Sequence, residues 1–266
     1  MENIKKVSVI GAGNMGGAIA VGMAAGGVVR ASDIIVTARG MESLGKVRMA
    51  YPEITGFTDN AMAVKGADLV ILAVKPWQVR DVISGIRDEI DYGGTAIASV
   101  VAGVSFEDLY GMFGRTPDNP VFRIIPNTAV SRLKSTTFIA SDREDAVISG
   151  QVDAIFRSMG DVIWTDERML SCGMALASCG IAYAFRYMDA SIRGGMALGF
   201  TEEEARRAVL GTVEGAVALL KAGNTMPQQE IARVATPGGY TAKGLQAMDD
   251  RGFEDAVLAA LRASVG

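Results

Sequence analysis

Lys5-Lys6-Val7-Ser8-Val9-Ile10-Gly11-Ala12-Gly13-Asn14-Met15-Gly16 decides the architecture of this chain. An apolar run, Lys5–Ile10, ends on three glycines spaced G-x-G-x-x-G, and a small-residue helix is predicted over Met15–Ala25. Each glycine has a separate task. Gly11 permits the tight strand-to-helix turn, Gly13 lets the backbone approach a pyrophosphate, and Gly16 lets helix and strand pack closely. The helix amino terminus adds unpaired amides and the positive end of its dipole. Gly11, Ala12, Gly13, Asn14, Met15 and Gly16 are thus candidate ligands of a nicotinamide dinucleotide.

The motif is informative only in the right surroundings, and these follow. Asp33–Ala38 reads as a second strand, with a helical stretch from Met41. Asp68–Val74 is a continuous apolar run, as expected of a strand covered on both faces. Thr95–Val101 and Val121–Ile125 are two more, with a helix at Ser105–Phe113 between them. Thr136–Ala140 and Asp161–Thr165 read as late edge strands around a helix near Glu144–Ser158. Such alternation predicts an α/β fold with an amino-terminal doubly wound domain of the Rossmann type.

After Asp166 the strand signals stop. Leu170–Arg193 reads as helix, and Thr201-Glu202-Glu203-Glu204 is a capping box opening a helix that Gly223-Asn224 closes. A short helix from Pro227 and two more, Thr241–Asp249 and Phe253–Ala263, complete an all-helical second domain. The predicted division is 1–165 for the dinucleotide and 166–266 for substrate and dimerisation.

Composition narrows the partners. The 266 residues carry a net charge of −4 and a pI near 5.1, which gives no basic footprint for nucleic acid. The mean hydropathy of +0.25 suits an oligomer that hides part of its surface. Met1–Lys6 leads straight into an apolar strand without a small-residue cleavage site, so a cytoplasmic protein is expected. The charge-free run between Arg168 and Arg186 is short of a membrane span and broken by Ser171, Gly173, Ser178 and Gly180; it reads as a buried helix. Cys172 and Cys179, seven apart on a helix, are too distant for a disulfide and too few for a metal site. No metal is expected. The chain has no histidine, which removes the commonest general acid.

The dinucleotide is expected to be NADPH, with NADH as the alternative. An NAD site usually carries a carboxylate where the second strand ends, whereas here that strand ends Thr37-Ala38-Arg39 and Asp33 lies at its start. Arg39 can pair with a 2′-phosphate. Three further stretches break pattern. Ala73-Val74-Lys75-Pro76 and Arg123-Ile124-Ile125-Pro126-Asn127-Thr128 close strands at the carboxyl edge, where ligands bind in open α/β sheets. Ala235-Thr236-Pro237-Gly238-Gly239-Tyr240-Thr241 is a polar turn between helices that can aim several amides at one anion.

In this order, with Asp59-Asn60, Ala102-Gly103-Val104, Ala182-Tyr183 and Gly252-Phe253, these stretches resemble pyrroline-5-carboxylate reductase over essentially the whole chain. The resemblance implies reduction of a small cyclic imine, 1-pyrroline-5-carboxylate, to L-proline by NAD(P)H, the last step of proline biosynthesis. It implies a homodimer through the helical domain, or a decamer of dimers, and neither nucleic acid nor membrane as partner. It implies that Asn60 contacts the adenosine ribose, that Ala73, Val74, Lys75 and Pro76 line the nicotinamide-ribose end, and that Asn127 lies near the nicotinamide. Thr236, Gly238, Gly239 and Tyr240 would grip the substrate carboxylate, and Thr241, the catalytic candidate, would hydrogen-bond the ring nitrogen. The sequence also departs from the family. Its usual Ser-Gly-Pro-Ala-Tyr reads Ser178-Cys179-Gly180-Ile181-Ala182-Tyr183, its Gly-Gly-Thr-Thr reads Gly238-Gly239-Tyr240-Thr241, and Tyr240 adds bulk beside the carboxylate grip. Alternatives are a reductase of another cyclic imine, a β-hydroxyacid dehydrogenase, or an NADP-binding relative without turnover. The dehydrogenase wants a lysine early in the helical domain, and none lies between Lys134 and Lys221.

Overall fold

The computed structural model describes residues 4–265. Eight strands form one sheet: β1 (Val7–Ile10), β2 (Ile34–Thr37), β3 (Thr55–Phe57), β4 (Leu69–Leu72), β5 (Ala96–Ser99), β6 (Val121–Ile125), β7 (Ser135–Ser141) and β8 (Gly160–Trp164). Their spatial order is β3-β2-β1-β4-β5-β6-β7-β8. All neighbours pair in parallel except β6 and β7, which are antiparallel. The order reverses between β1 and β4, so the carboxyl ends of those two strands flank the switch point where open sheets bind ligands.

Helices α1 (Asn14–Gly26), α2 (Met41–Ala50), α3 (Asn60–Val64), α4 (Val79–Ile86), α5 (Phe106–Phe113) and α6 (Ala146–Arg157) connect the strands. Because side chains alternate along a strand, the sheet feeds two cores. Val7, Val9, Leu69 and Ile71 enter one with Ile19 and Phe156. Ile10, Val70 and Leu72 enter the other with Ile83 and Leu109. Burial on both faces explains why β4 reads as an unbroken apolar run and why β1 and β5 are mostly apolar. A polar clip holds the antiparallel turnback. Asp142 accepts from Val121 N (2.9 Å), the Tyr110 hydroxyl (2.5 Å) and Arg143 Nη2 (2.7 Å). Burial, reinforced by the Asp142 carboxylate, pushes the Tyr110 hydroxyl up to about 12.

The chain divides into two compact units, through Ser178 and from Cys179 onward. At the end of the first comes α7 (Leu170–Gly173), and a π-helical turn, Met174–Cys179, crosses the boundary. Helices α8 (Gly180–Ala197), α9 (Glu202–Gly223), α10 (Pro227–Val234), α11 (Tyr240–Asp249) and α12 (Phe253–Ala263) make the second. The Thr201–Glu204 capping box forms as expected, each side chain bonding the other's backbone N–H.

One expectation needs correction. The apolar run after Arg168 is helical but not buried within the chain: its most apolar window, inside Glu167–Ala197, is only 22% buried. The helix is long and apolar enough to meet a membrane span by composition, and Leu176, Phe185 and Tyr187 are exposed. Among the described residues from Cys179 on, Ala205 alone is buried. The pattern of apolar spacing was legible; its exposure was not, because spacing does not say what, if anything, covers a helix face.

Candidate active site

The glycine loop joins β1 to α1 at the switch point. Gly11 has φ +108°, and a Cβ there would lie 2.8 Å from the Ala73 carbonyl oxygen. A Cβ on Gly16 would stand 1.9 Å from the Gly11 carbonyl oxygen, so the first turn of α1 rests directly on the loop. Around Gly13 a Cβ would meet nothing within 4 Å. Gly13 is also the N-cap of α1 and supplies no side-chain cap. The first-turn amides of Asn14, Met15 and Gly16 therefore have no side chain competing for them, beside open space. This cradle fits a pyrophosphate.

Thr37 holds the loop from the neighbouring strand, a role the sequence reading missed. It is 1% exposed, its Oγ1 accepts from Gly11 N (3.1 Å), and its carbonyl accepts from Ala12 N. The signal was present as a hydroxyl ending an otherwise apolar strand. On the other side, Ala73 N donates to the Ile10 carbonyl (2.9 Å), which sets Ala73-Val74-Lys75-Pro76 beside the loop. Lys75 is exposed at the start of a single 3-10 turn, Pro76–Gln78.

Arg39 follows β2, is exposed and makes no ion pair or hydrogen bond among the described residues. Asp33 instead pairs with Arg30 (2.7 Å) in the turn before β2, at the strand's far end. Asn60 is the first residue of α3, whose cap is Asp59, accepting from Ala61 N and Met62 N. The first unit thus brings Gly11–Gly16 and Ala73–Pro76 together, with Arg39 at the end of β2, which pairs alongside β1.

Asn127 sits where β6 ends and is 7% exposed. Its Oδ1 accepts from Ala129 N (3.0 Å) and its Nδ2 donates to the Ala177 carbonyl (3.3 Å). Upstream on the same strand, Arg123 pairs with Glu167 (2.7 Å), whose same oxygen accepts from Phe106 N (2.8 Å) at the start of α5.

The turn Thr236–Thr241 lies in the second unit. Gly238 takes φ +73°, and Gly239 N donates to the Thr236 carbonyl (2.9 Å). Gly239 caps α11 without a side-chain bond, leaving the amides of Tyr240 and Thr241 uncapped by a side chain. A Cβ on Gly239 would lie 2.6 Å from Thr236 Oγ1, so that hydroxyl folds over the turn. Thr236 and Thr241 have the chemistry to hold an anion there with the amides. Tyr240 is 93% exposed, its ring met by the Lys243 ammonium at 5.8 Å from the centroid.

Glycine loop, switch point and mostly parallel sheet mark a dinucleotide-binding domain of the Rossmann type. Residues 6–103 match the family model described as NADP oxidoreductase, coenzyme F420-dependent, and residues 167–266 match that for pyrroline-5-carboxylate reductase dimerisation. Pyrroline-5-carboxylate reductase 2 of Bacillus subtilis is 30% identical over 259 residues, covering 96% of this chain and 91% of that protein. The Aquifex aeolicus reductase is 31% identical, covering 95% and 92%. Reductase 1 of Dictyostelium discoideum is 33% identical across 95% of this chain, which spans 47% of that longer protein. Among solved structures, the Coxiella burnetii reductase superposes with a TM-score of 0.86 at 28% identity, covering 99% of this chain and 97% of that one. The Plasmodium falciparum reductase with NADP bound gives 0.89 at 24% identity, covering 100% and 97%. The chain belongs to the pyrroline-5-carboxylate reductase family.

Proposed function

We propose that this protein reduces 1-pyrroline-5-carboxylate to L-proline with NADPH, the last step of proline biosynthesis. The observation that carries the reading is the near-full-length similarity to reductases of that name, together with an intact glycine cradle at the switch point. NADPH, when bound, supplies the hydride. The amides of Gly13–Gly16 hold its pyrophosphate, Arg39 takes the 2′-phosphate, Asn60 the adenosine ribose, and Ala73–Pro76 with Asn127 border the nicotinamide end.

Residues 166–266 form the substrate and dimerisation domain in this reading. Thr236, Gly238, Gly239 and Tyr240 grip the carboxylate, and Thr241 bonds the ring nitrogen. The chemistry suits a chain without histidine, because a protonated imine carbon is already a strong electrophile. Positioning that carbon supplies several kcal/mol of the barrier. The exposed ring of Tyr240 supports a second reading, a reductase of another cyclic imine, because nothing within the chain confines it. The exposed apolar side chains of the second unit support a homodimer, and assembly into a decamer in the cytoplasm completes the reading that the family resemblance implies.

The test is loss of NADPH absorbance with purified protein and racemic pyrroline-5-carboxylate, beside 3-hydroxyisobutyrate with NADP. Oxidation of NADPH by the imine alone is expected; none with the imine refutes the reading. Thr241→Ala should lower turnover more than cofactor affinity.

A further inference from the structure

We propose that Asn127 is a positioning residue for hydride transfer, clamping the π-turn Met174–Cys179 to the end of β6 instead of acting on the cofactor itself. The inference rests on the reductase reading above and assigns the way that one of its residues works.

Asn127 is held from three sides within the first unit. Its backbone N–H donates to Ser135 Oγ (3.2 Å), and that hydroxyl bridges to Thr137 Oγ1 (3.0 Å); both residues are buried. Its Oδ1 caps Ala129 N and its Nδ2 reaches Ala177 O, fifty residues along the chain. Both side-chain bonds go to backbone, the Oδ1 bond to the start of the next turn and the Nδ2 bond to the π-turn.

The turn has its own signs of a functional device. Six residues in π-helical geometry interrupt a helical run, and such insertions are uncommon and frequently lie at functional sites. Small residues let it lie close to the sheet. Ala175 and Ala177 are buried, and a Cβ on Gly173 would stand 2.6 Å from Phe138 Cγ on β7. Leu176, on the other side of the turn, is exposed. An ordinary α-turn would shift Ala177 around the helix and move its carbonyl away from Asn127, since one residue is worth about 100° of rotation. The amide therefore matches a carbonyl that the π-turn presents, at the same carboxyl edge of the sheet as Gly11 and Ala73. A wall there sets how closely the nicotinamide end is confined, which governs hydride transfer more than cofactor affinity.

Two variants test this. Asn127→Ser keeps a cap for Ala129 N but is too short for Ala177. Deleting Leu176 removes the extra residue of the π-turn while leaving the helices on either side in phase. With the imine saturating, each should lower kcat about tenfold, raise the isotope effect from NADPH deuterated at the transferred position, and leave the NADPH Kd within about twofold. The double variant should be no slower than either single one. Should the deletion variant not fold, Asn127→Ser decides the matter through its Kd and isotope effect. A Kd raised more than about fivefold in Asn127→Ser would show direct cofactor contact and overturn the inference. So would kcat and isotope effect both at wild-type values, the mark of a structural clip alone. Wild-type protein inactive on the imine overturns the reductase reading and this inference with it.

Discussion

Gly13→Ala separates cofactor binding from folding. In the free chain the new Cβ meets nothing within 4 Å, and the backbone at φ −73°, ψ −169° is one that alanine adopts freely. The folded protein should lose nothing, and by restricting the unfolded chain the change should add about 0.4–1 kcal/mol. The methyl group instead enters the open space beside the loop, where the pyrophosphate is proposed to lie. Displacing a pyrophosphate from there forfeits about two charge-assisted hydrogen bonds at roughly 1.5 kcal/mol each. The sum, about 3 kcal/mol, corresponds to about a hundredfold rise in the NADPH Kd. Calorimetric titration with NADPH, beside thermal unfolding of the free protein, measures both quantities. Gly16→Ala is the contrast: its Cβ would lie 1.9 Å from the Gly11 carbonyl oxygen, so this variant should lose thermal stability as well as affinity. A Gly13→Ala protein with wild-type Tm and a Kd within threefold of wild type would refute the assignment of the loop.

Arg39→Ala should raise the NADPH Kd about thirtyfold, the loss of one charge-assisted pair of about 2 kcal/mol, and leave NADH binding unchanged; an unaltered ratio of the two constants removes Arg39 from cofactor choice. Glu167→Ala strands Arg123, whose side chain is 12% exposed, and leaves Phe106 N without its acceptor. Since Glu167 itself is 36% exposed, the cost should fall between surface and buried pairs, about 2 kcal/mol in denaturant unfolding at fixed protein concentration. A loss under about 0.5 kcal/mol counts against the pair as a tie between β6 and the residues leading into α7. Ser8→Ala removes a buried hydroxyl that has no partner in β1, and should raise the Tm by about 2–4 °C; a fall in Tm would mean that the hydroxyl is satisfied in solution.

The sheet was legible because its strands are buried on both faces, so β1, β4, β5 and β6 appear as short, largely apolar stretches too brief for helices and bounded by turn residues. What escaped was short or local. The edge strand β3 has three residues and α3 five, too few to show a period. The π-turn leaves no mark in a run of Met, Ala, Leu, Ser and Cys, because its signal is the distant Asn127 and not its own composition. The glycine loop was readable as a motif, whereas Thr37 showed only as a hydroxyl ending an apolar strand, and what it ties down becomes visible once β1 and β2 are paired. The exposure of the Tyr240 ring and its meeting with Lys243 are likewise features that spacing along a helix does not reveal.

The second unit, with Ala205 as the buried residue among its described part, has a consequence for how the protein is made. Apolar burial is the main force that offsets chain entropy, and five helices that hide so little of it by themselves must draw it from another copy. Their stability then depends on how many chains are present, so dilution acts on this half of the molecule as heat does on an ordinary domain.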